Sequence, residues 1–365
     1  MRALWNVLVF GLAIGLVSCK PNSSDVETPR YLFVSSGTCY VGNGLTAETP
    51  SRTVSKVKLD TGVVDSVVLD YNSVNAADRP QALVDYDSEN ILVLVENSST
   101  NLRRIDLVKK AGGNSFSTYY SDSASLTNTA AHVVRSMMST PDGGLLISKS
   151  VAAEKISSSK GRVTVGANPF INSPTGGANC GTTNNTLITS AVALPNGKYI
   201  IAHAAATPNN RVLFINNTTG YNSSADCTAP PAAPATTTFP TAMVYIPTAA
   251  GATTGYLLVA WSSSTANQDY IYAYNVNEST GAITGATKAY ENTSVLRGIS
   301  AMTYDSSTGS VYVANGSTAL ANAIEKFSFD STSKTLTRSM TTPFSGTTFN
   351  TKCITSMLVA EESSQ

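Results

Sequence analysis

Apolar and polar positions alternate along most of the chain in short runs, and clusters of Gly, Asn, Asp and Ser separate these runs. A period of two places apolar side chains on one face of a strand, and the separating residues favour tight turns. The clearest example is Ile299 to Ser317, which predicts a strand, a turn at residues 306–309 and a second strand. No long run with a helical period follows the first twenty or so residues, so the pattern predicts an all-β protein.

Weaker copies of this hairpin recur along the chain, each marked by a small residue followed by an apolar one. The small residues are Ala82, Ser136, Ala191, Ala242, Ala301 and Ser356. They are separated by 54, 55, 51, 59 and 55 positions, and such a regular period indicates a repeat architecture. Third strands such as Tyr270 to Val276 and fourth strands such as Val63 to Asp70 complete a four-stranded repeat, the pattern of a β-propeller blade. We therefore predict a β-propeller of six four-stranded blades, with seven blades as the alternative.

Each end of the chain supplies half of a blade. The strand at Tyr31 to Ser36 has no inner strand before it, and the strand at Ser356 has no hairpin partner after it. Antiparallel pairing of these two strands closes the ring inside one blade. It also places Cys353 opposite Cys39, so we expect a disulfide between them that stabilises the fold by about 3–5 kcal/mol.

The other cysteines fit an exported protein. Four cysteines follow Cys19, and an even number in that setting suggests disulfides. With Cys39 and Cys353 paired, Cys180 and Cys227 remain to pair with each other. None of the cysteines forms a CxxC motif, so we expect neither a metal nor another cofactor.

The N-terminus has the form of an export signal. Met1-Arg2 precedes an apolar run from Ala3 to Val17, which is too short for a transmembrane helix of about 20 residues. The following residues, LVSC ending at Cys19, resemble the bacterial lipobox. The resemblance implies a signal peptide at residues 1–18, diacylation of Cys19 and membrane anchoring through it. Lys20 then favours the outer membrane, with a tether at residues 19–30 and the propeller at residues 31–360.

Composition narrows the range of partners. Charged residues make up 13% of the chain, about half of the usual share, and the net charge is zero. Basic patches that would bind nucleic acid are missing from the sequence. We expect a monomer whose surface is neutral and polar.

Two strands carry a family resemblance. The segments VYVANGS (residues 311–317) and YLFVSSGT (residues 31–38) resemble the YVTN and lactonase-like bacterial propellers. This resemblance implies a propeller with ligands held over the channel or at one face. The six-bladed calcium lactonases of this kind need converging acidic and amide ligands, and only Asp78 lies near such a position.

Basic residues recur near the starts of the inner strands. Arg79, Arg135 and Arg297 lie there in three repeats, and with Gln81 they predict a channel mouth that binds a carboxylate or phosphate. The alternative is that the arginines pair with neighbours such as Asp78 or point to solvent.

Polar residues precede the small residue in most repeats. They are Gln81, Ser190, Thr241, Ser300 and Thr355. We expect these residues to line a neutral, water-holding channel.

Three further motifs have simpler explanations than function. Asp85 to Asn90 resembles a calcium loop but lacks the required Gly and the final Glu, so we interpret it as a hairpin turn. His132 and His203 are the two histidines, and neither has a partnered Ser and carboxylate nearby in sequence. A stripe of tyrosines on one strand is expected to pack between blades rather than to stack on a sugar; it comprises Tyr270, Tyr272 and Tyr274.

No residue set in the sequence forms a convincing catalyst. The leading hypothesis is an envelope lipoprotein whose propeller is a binding scaffold for a protein or glycan. A lactonase-like or other hydrolytic propeller is the first alternative, and a structural envelope component is the second.

Overall fold

The computed structural model describes most of the chain beyond residue 27. The described ranges are 28–41, 44–45, 48–100, 102–121, 136–149, 152–165, 169–171, 187–204, 211–216, 218–220, 227–228, 238–249, 251–263, 269–316, 324–339 and 351–362. The predicted signal peptide and the anchor residue Cys19 lie outside these ranges, as do Arg135, Cys180 and His132. None of the helices in the described ranges has the length and apolar character needed to span a membrane.

Strands dominate the described residues. The N-terminal half contains β1 (Arg30–Ser36), β2 (Tyr40–Val41), β3 (Gly44–Leu45), β4 (Thr53–Lys58), β5 (Val64–Asp70), β6 (Asp78–Asp85), β7 (Asn90–Asn97), β8 (Arg103–Lys109), β9 (Phe116–Tyr120), β10 (Met137–Ser139), β11 (Leu145–Lys149), β12 (Ala152–Ile156) and β13 (Arg162–Val163). The C-terminal half contains β14 (Leu187–Ala193), β15 (Tyr199–Ala204), β16 (Arg211–Ile215), β17 (Cys227–Thr228), β18 (Thr238–Pro247), β19 (Thr254–Ser263), β20 (Tyr270–Asn277), β21 (Ala282–Tyr290), β22 (Ile299–Asp305), β23 (Ser310–Asn315), β24 (Ile324–Asp330), β25 (Thr335–Arg338) and β26 (Ile354–Glu361). A single helical turn, α1 (Tyr71–Val74), connects β5 to β6, and the side chain of Asp70 caps it by accepting from the Asn72 backbone N–H at 2.9 Å.

The strands form six four-stranded antiparallel sheets arranged in a ring, which makes the protein a six-bladed β-propeller. The blades are I (β26-β1-β4-β5), II (β6-β7-β8-β9), III (β10-β11-β12-β13), IV (β14-β15-β16-β17), V (β18-β19-β20-β21) and VI (β22-β23-β24-β25). A small two-stranded ribbon, β2-β3, lies outside them. The prediction of six blades from the repeat count is confirmed.

Blade I contains both ends of the ring. Strand β26 pairs antiparallel with β1, with Val34 opposite Met357 and Tyr31 opposite Ala360. At the end of this pairing Cys39 and Cys353 form a disulfide with their Cα atoms 4.4 Å apart. The predicted closure and its disulfide are therefore confirmed. Because the bond joins residues 314 positions apart, it holds the N- and C-terminal parts of the ring together.

The hydrophobic core consists of layers between neighbouring blades. Six clusters of buried apolar residues occur, and each cluster draws its members from two adjacent blades. In the layer between blades IV and V, Trp261 and Tyr274 are completely buried, and Tyr270 and Tyr272 pack against the same cluster. The tyrosine stripe thus packs between blades, as expected, because a strand in a blade buries both of its faces.

The outer strand of blade III, β13, is very short and comprises two residues, and the outer strand of blade IV, β17, is described at two residues. Ser, Gly and Pro dilute the apolar alternation of the sequence in the repeat of blade III, so little apolar surface is available to hold its outer strand against its neighbour.

An ion pair joins blade VI to blade I on the side of the hairpin turns. Arg30 donates from Nη2 to Asp305 Oδ1 at 2.5 Å and from Nη1 to Oδ2 at 3.1 Å. The Asp305 side chain is completely buried, whereas that of Arg30 is 26% exposed. The two blades that meet at the ring closure are therefore joined by a bidentate charged contact as well as by packing.

Candidate functional site

The inner strands of the six blades surround a central channel, and in the described residues five of these strands contain a β-bulge near the channel wall. The register shifts occur at Gln81 in β6, Thr189 in β14, Thr241 in β18, Ser300 in β22 and Thr355 in β26. A bulge bends its strand and changes the direction of the extra side chain. The bulges thus place a ring of polar side chains at one level of an otherwise apolar interior.

Two of the bulged residues bind the neighbouring blade. The Thr355 hydroxyl donates to the Pro80 carbonyl oxygen at 2.9 Å, which joins blade I to blade II. In the same way the Thr189 hydroxyl donates to the Pro240 carbonyl oxygen, which joins blade IV to blade V. These hydroxyls are therefore part of the contacts that hold the ring together.

Two other bulged residues have no such contact. Thr241 and Ser300 are 2% and 8% exposed, and in the described part of the chain their hydroxyl oxygens have no hydrogen-bond partner. The Ser136 hydroxyl on the inner side of blade III also has no hydrogen-bond partner in the described part of the chain. A buried hydroxyl without a partner costs about 1–3 kcal/mol unless water or a ligand satisfies it. These hydroxyls are therefore the described groups of the channel that have hydrogen-bonding capacity left for water or a polar ligand.

The channel contains a cavity of about 170 Å³. This is several times the share of about 30 Å³ that a water molecule occupies in the liquid. Its lining has three levels along the inner strands. The hydroxyl level comprises Ser190, Thr241, Ser300 and Thr355. The small-residue level comprises Ser136, Ala191, Ala242, Ala301 and Ser356, and the apolar level comprises Leu83, Met137, Met138, Met243, Met302 and Met357. Among the described residues of this lining none is charged, which favours an uncharged ligand or one of low charge.

Of the arginines predicted at the channel mouth, Arg135 lies outside the described residues, and Arg79 and Arg297 are not among the described residues that line the cavity. Arg79 is the second residue of β6 and lies opposite Glu96 on β7. Arg297 lies two residues before β22, and its backbone N–H donates to Asn315 Oδ1 at 2.9 Å. Gln81 is buried, and its amide donates to the Thr38 hydroxyl at 2.6 Å. Anion binding by these residues stays a prediction.

Asp78 belongs to a charged network at the start of blade II. Its carboxylate accepts from Arg104 at 2.7 Å and from the Asn97 amide at 2.9 Å. Arg104 also donates to Asp106 at 2.8 Å, and the Tyr71 hydroxyl donates to Asp106 at 3.1 Å. Burial raises the pKa of Asp106, although the hydrogen bonds from Arg104 and Tyr71 oppose the rise. Since Asp78 is engaged by an arginine and an amide, its carboxylate is directed into this network rather than toward a channel ligand.

The asparagine of the VYVAN strand has a structural role that the sequence does not reveal. Asn315 ends β23, and it holds the segment before the inner strand β22 by accepting from the Arg297 N–H and donating to the Val295 carbonyl at 2.8 Å. In blade III the Ser148 hydroxyl accepts from the Ser136 N–H at 3.1 Å. A polar residue at the end of the second strand therefore fixes how the inner strand begins.

The remaining candidates do not form a catalytic group in the described residues. Glu48 lies beside the Cys39–Cys353 disulfide, with an oxygen 3.8 Å from Cys353 Sγ, but the disulfide uses both thiols and leaves no metal-binding set. Asp87 Oδ1 accepts from the Glu89 N–H at 2.8 Å and the Asn90 N–H at 2.7 Å, the pattern of the predicted hairpin turn.

Several sequence predictions lie beyond the described side chains. The side chains of His203 and Cys227 lie outside the described part of the structure, although both backbones belong to strands. With Cys180 also outside the described ranges, the second disulfide stays a prediction.

A comparison of the sequence with known family models and with curated proteins gives no match. Solved structures do resemble the fold. A protein from Lactobacillus plantarum aligns over 92% of this chain and 100% of its own with a TM-score of 0.51 and 11% identity. A proposed 6-phosphogluconolactonase from Bacteroides uniformis aligns over 92% and 100% of the two chains, with a TM-score of 0.47 and 11% identity. A gluconolactonase from Xanthomonas campestris aligns over 85% and 88%, with a TM-score of 0.47 and 9% identity. The structural neighbours thus include lactonase-type propellers, and at these identities the likeness extends to the fold alone.

Proposed function

We propose that the central channel binds a small, uncharged ligand rich in hydroxyl groups, of the sugar or sugar-lactone class. The observation that carries the proposal is the pair of buried hydroxyls, Thr241 and Ser300, which lack a hydrogen-bond partner in the described structure. Both residues line a cavity of about 170 Å³ whose described lining contains no charged side chain. A hydroxyl both donates and accepts, so it matches the alternating donors and acceptors of a polyol.

The shape of the lining supports the same class of ligand. Small residues such as Ala242 and Ala301 leave room beside the hydroxyls, and apolar side chains such as Met302 lie at the next level. Ligand sites commonly combine an apolar wall with a few placed polar groups that fix orientation. A sugar ring, with polar edges and less polar faces, fits such a lining better than an ion of high charge does.

Calorimetry with a panel of neutral sugars and sugar lactones tests the proposal. We expect at least one member to bind, and we expect Thr241→Val and Ser300→Ala each to weaken that binding about 2- to 10-fold, the effect of one neutral hydrogen bond. Ser139→Ala, which removes an exposed hydroxyl outside the described lining of the cavity, is the matched control and should leave the affinity unchanged. If no member of the panel binds and only ordered water satisfies the two hydroxyls, the proposal is wrong.

Hydrolysis of a sugar lactone is the second candidate. The feature that favours it is the sequence resemblance of the strand Val311 to Asn315 to lactonase-like propellers. An assay that titrates the acid released from the same lactones separates hydrolysis from binding alone. Turnover that Thr241→Val abolishes would support hydrolysis in the channel, whereas binding without turnover would leave a binding protein.

Attachment to the envelope is a separate proposal. We propose that Cys19 carries the lipid anchor and that the propeller binds its ligand, a free sugar or the end of a glycan, at the outer membrane. Incorporation of labelled palmitate into the wild type but not into Cys19→Ser, together with membrane fractionation, tests it. An unlabelled protein in the soluble fraction would contradict the anchor while leaving the channel proposal intact.

A further inference from the structure

A second pocket lies between blades III and IV, at the turns that connect the first two strands of each blade. Pro141 belongs to the turn between β10 and β11, and Pro195 belongs to the equivalent turn between β14 and β15. In both turns a glycine N–H, that of Gly143 or Gly197, donates to the carbonyl oxygen three residues earlier at 2.9 Å. We call the space between them the turn pocket. Its volume is about 440 Å³, and it opens to solvent between the exposed turns.

The inner wall of the turn pocket contains a buried ammonium group. Lys155 on β12 is only 6% exposed, and its Nζ lies 5.0 Å from the centre of the buried Phe170 ring. Taking an ammonium out of water costs free energy unless a partner compensates for the loss. Its ionic partner is Asp142, whose carboxylate Oδ2 lies 2.7 Å from Nζ and whose side chain is 60% exposed. The pair therefore reaches from the apolar layer between the blades to the solvent side of the pocket.

Two of the buried groups have donors left over. Lys155 Nζ donates to Asp142 and, at 3.2 Å, to the Tyr199 hydroxyl, which leaves one of its three N–H groups without an acceptor in the described residues. The Tyr199 hydroxyl accepts from Lys155, and its own proton likewise has no acceptor among the described residues. Tyr199 is 1% exposed, and both residues line the turn pocket. They can therefore donate to an oxygen atom of a ligand.

Both charges of the pocket are present at neutral pH. The hydrogen bond from Lys155 lowers the pKa of Asp142. Burial by itself would lower the pKa of Lys155, but its hydrogen bonds with Asp142 and Tyr199 outweigh burial and raise that pKa. Among the described residues of the lining these are the charged ones, so the turn pocket presents one cation and one anion side by side.

We propose that the turn pocket binds a small zwitterion of the free amino acid class. The ligand carboxylate accepts from Lys155 and the Tyr199 hydroxyl, and the ligand ammonium donates to Asp142. A simple anion would be repelled by Asp142 and a simple cation by Lys155, whereas a zwitterion meets an opposite charge at each end. The rings of Pro141 and Pro195 offer apolar contact to the rest of the molecule.

This site is separate from the one proposed for sugars. The turn pocket lies between two blades, and its described lining shares no residue with the described lining of the channel. Thr241→Val should weaken sugar binding in the channel and leave amino acid binding unchanged, so the two proposals can fail separately.

Calorimetry of the full-length protein with free glycine, L-alanine, L-serine and L-proline tests the proposal. We expect at least one of them to bind with one molecule per chain. The N-acetyl derivative of that amino acid lacks the ammonium, and its amide lacks the carboxylate. Each derivative should bind at least tenfold more weakly than the free amino acid.

Two variants assign the binding to this pocket. Tyr199→Phe keeps the buried ring but removes the hydroxyl, and it should weaken binding about tenfold or more, the effect of a hydrogen bond to a charged group. Asp142→Asn should weaken binding of the free amino acid and tighten binding of its N-acetyl derivative, because the carboxylate that repels an anion is gone. Asp330→Asn is the matched control, since it removes an exposed turn carboxylate outside the described lining. Unfolding curves check that the variants remain folded.

Three results would overturn the proposal. The first is that none of the four amino acids binds. The second is that the N-acetyl derivative or the amide binds as tightly as the free amino acid. The third is that folded Tyr199→Phe and Asp142→Asn bind the amino acid as tightly as Asp330→Asn does.

Discussion

The ion pair of Arg30 and Asp305 joins blades VI and I, and its contribution to the free energy of unfolding can be measured. Burial by itself would raise the pKa of Asp305, but hydrogen bonds from Arg30, Thr308 and Ser307 outweigh burial and lower the pKa from 3.8 to about 2. Since a shift of one pKa unit corresponds to about 1.36 kcal/mol, the lowered pKa of Asp305 corresponds to about 2.4 kcal/mol of stability. Solvent reaches part of Arg30, so we expect about 1–2 kcal/mol in practice.

The sign of the pH dependence follows from the depressed pKa of Asp305. The stabilisation is fully present above the ordinary pKa of the carboxyl, and it is lost as the pH falls from about 4 to about 2. We expect Asp305→Asn to be less stable than the wild type by about 1–2 kcal/mol at pH 7, and this difference should shrink toward pH 2. Urea unfolding at both pH values measures it.

A double-mutant cycle isolates the pair itself. Arg30→Gln and the double variant with Asp305→Asn complete the cycle, and the coupling energy should be at least half of the single effect at pH 7. Glu291→Gln is the control, because it breaks the exposed pair of Lys288 and Glu291 and should not change stability measurably. A coupling energy near zero at pH 7, or one that does not change between pH 7 and pH 2, would refute the reasoning.

Three further predictions concern the ring. Replacing Cys39 and Cys353 together by Ala should lower the unfolding free energy by on the order of 5 kcal/mol, because the disulfide closes a loop of more than 300 residues; equal stability with and without reductant would contradict this. Asn315→Ala removes two hydrogen bonds to backbone that lies before β22, and denaturant unfolding should show a loss of about 2–3 kcal/mol. Thr355→Val should lower the unfolding free energy by about 1–2 kcal/mol because its hydroxyl joins two blades. Ser300→Ala in the absence of ligand should not lower it, because the hydroxyl that is removed has no described partner; equal losses would contradict that assignment.

The features that the sequence predicts well are local and repeated. The third strand of blade V is predicted at Tyr270 to Val276 and observed at Tyr270–Asn277, because alternation and turn residues fix a strand within a few positions. The closure of blade I is also predictable, since each end of the chain lacks the strand that the other end supplies. The Cys39–Cys353 disulfide follows from that pairing alone.

The features that the sequence does not predict depend on register or on contacts across the ring. Arg30 and Asp305 are 275 positions apart, and no local pattern indicates that they meet. The bulge at Thr241 likewise cannot be predicted from the sequence of its strand, because a bulge depends on how two strands pair. The recurrence of Met243 and Met302 directly after the aligned small residues is visible in the sequence, whereas their place in the lining of one channel follows only from the ring.

The repeat architecture explains why the described lining of the channel consists of levels of similar residues. Each position of the repeat occurs once in every blade, up to six times around the axis. When several repeats carry a similar residue at that position, the side chains form a ring of similar groups. In this chain the position before the small residue is mostly polar, and the position after it is mostly Met or another apolar residue. Blade I contributes Thr355 and Met357 to these levels from a strand whose start is held by the disulfide at Cys353. The contacts that close the ring therefore also fix where Thr355 lies in the channel, which links the closure of the ring to the geometry of the proposed channel site.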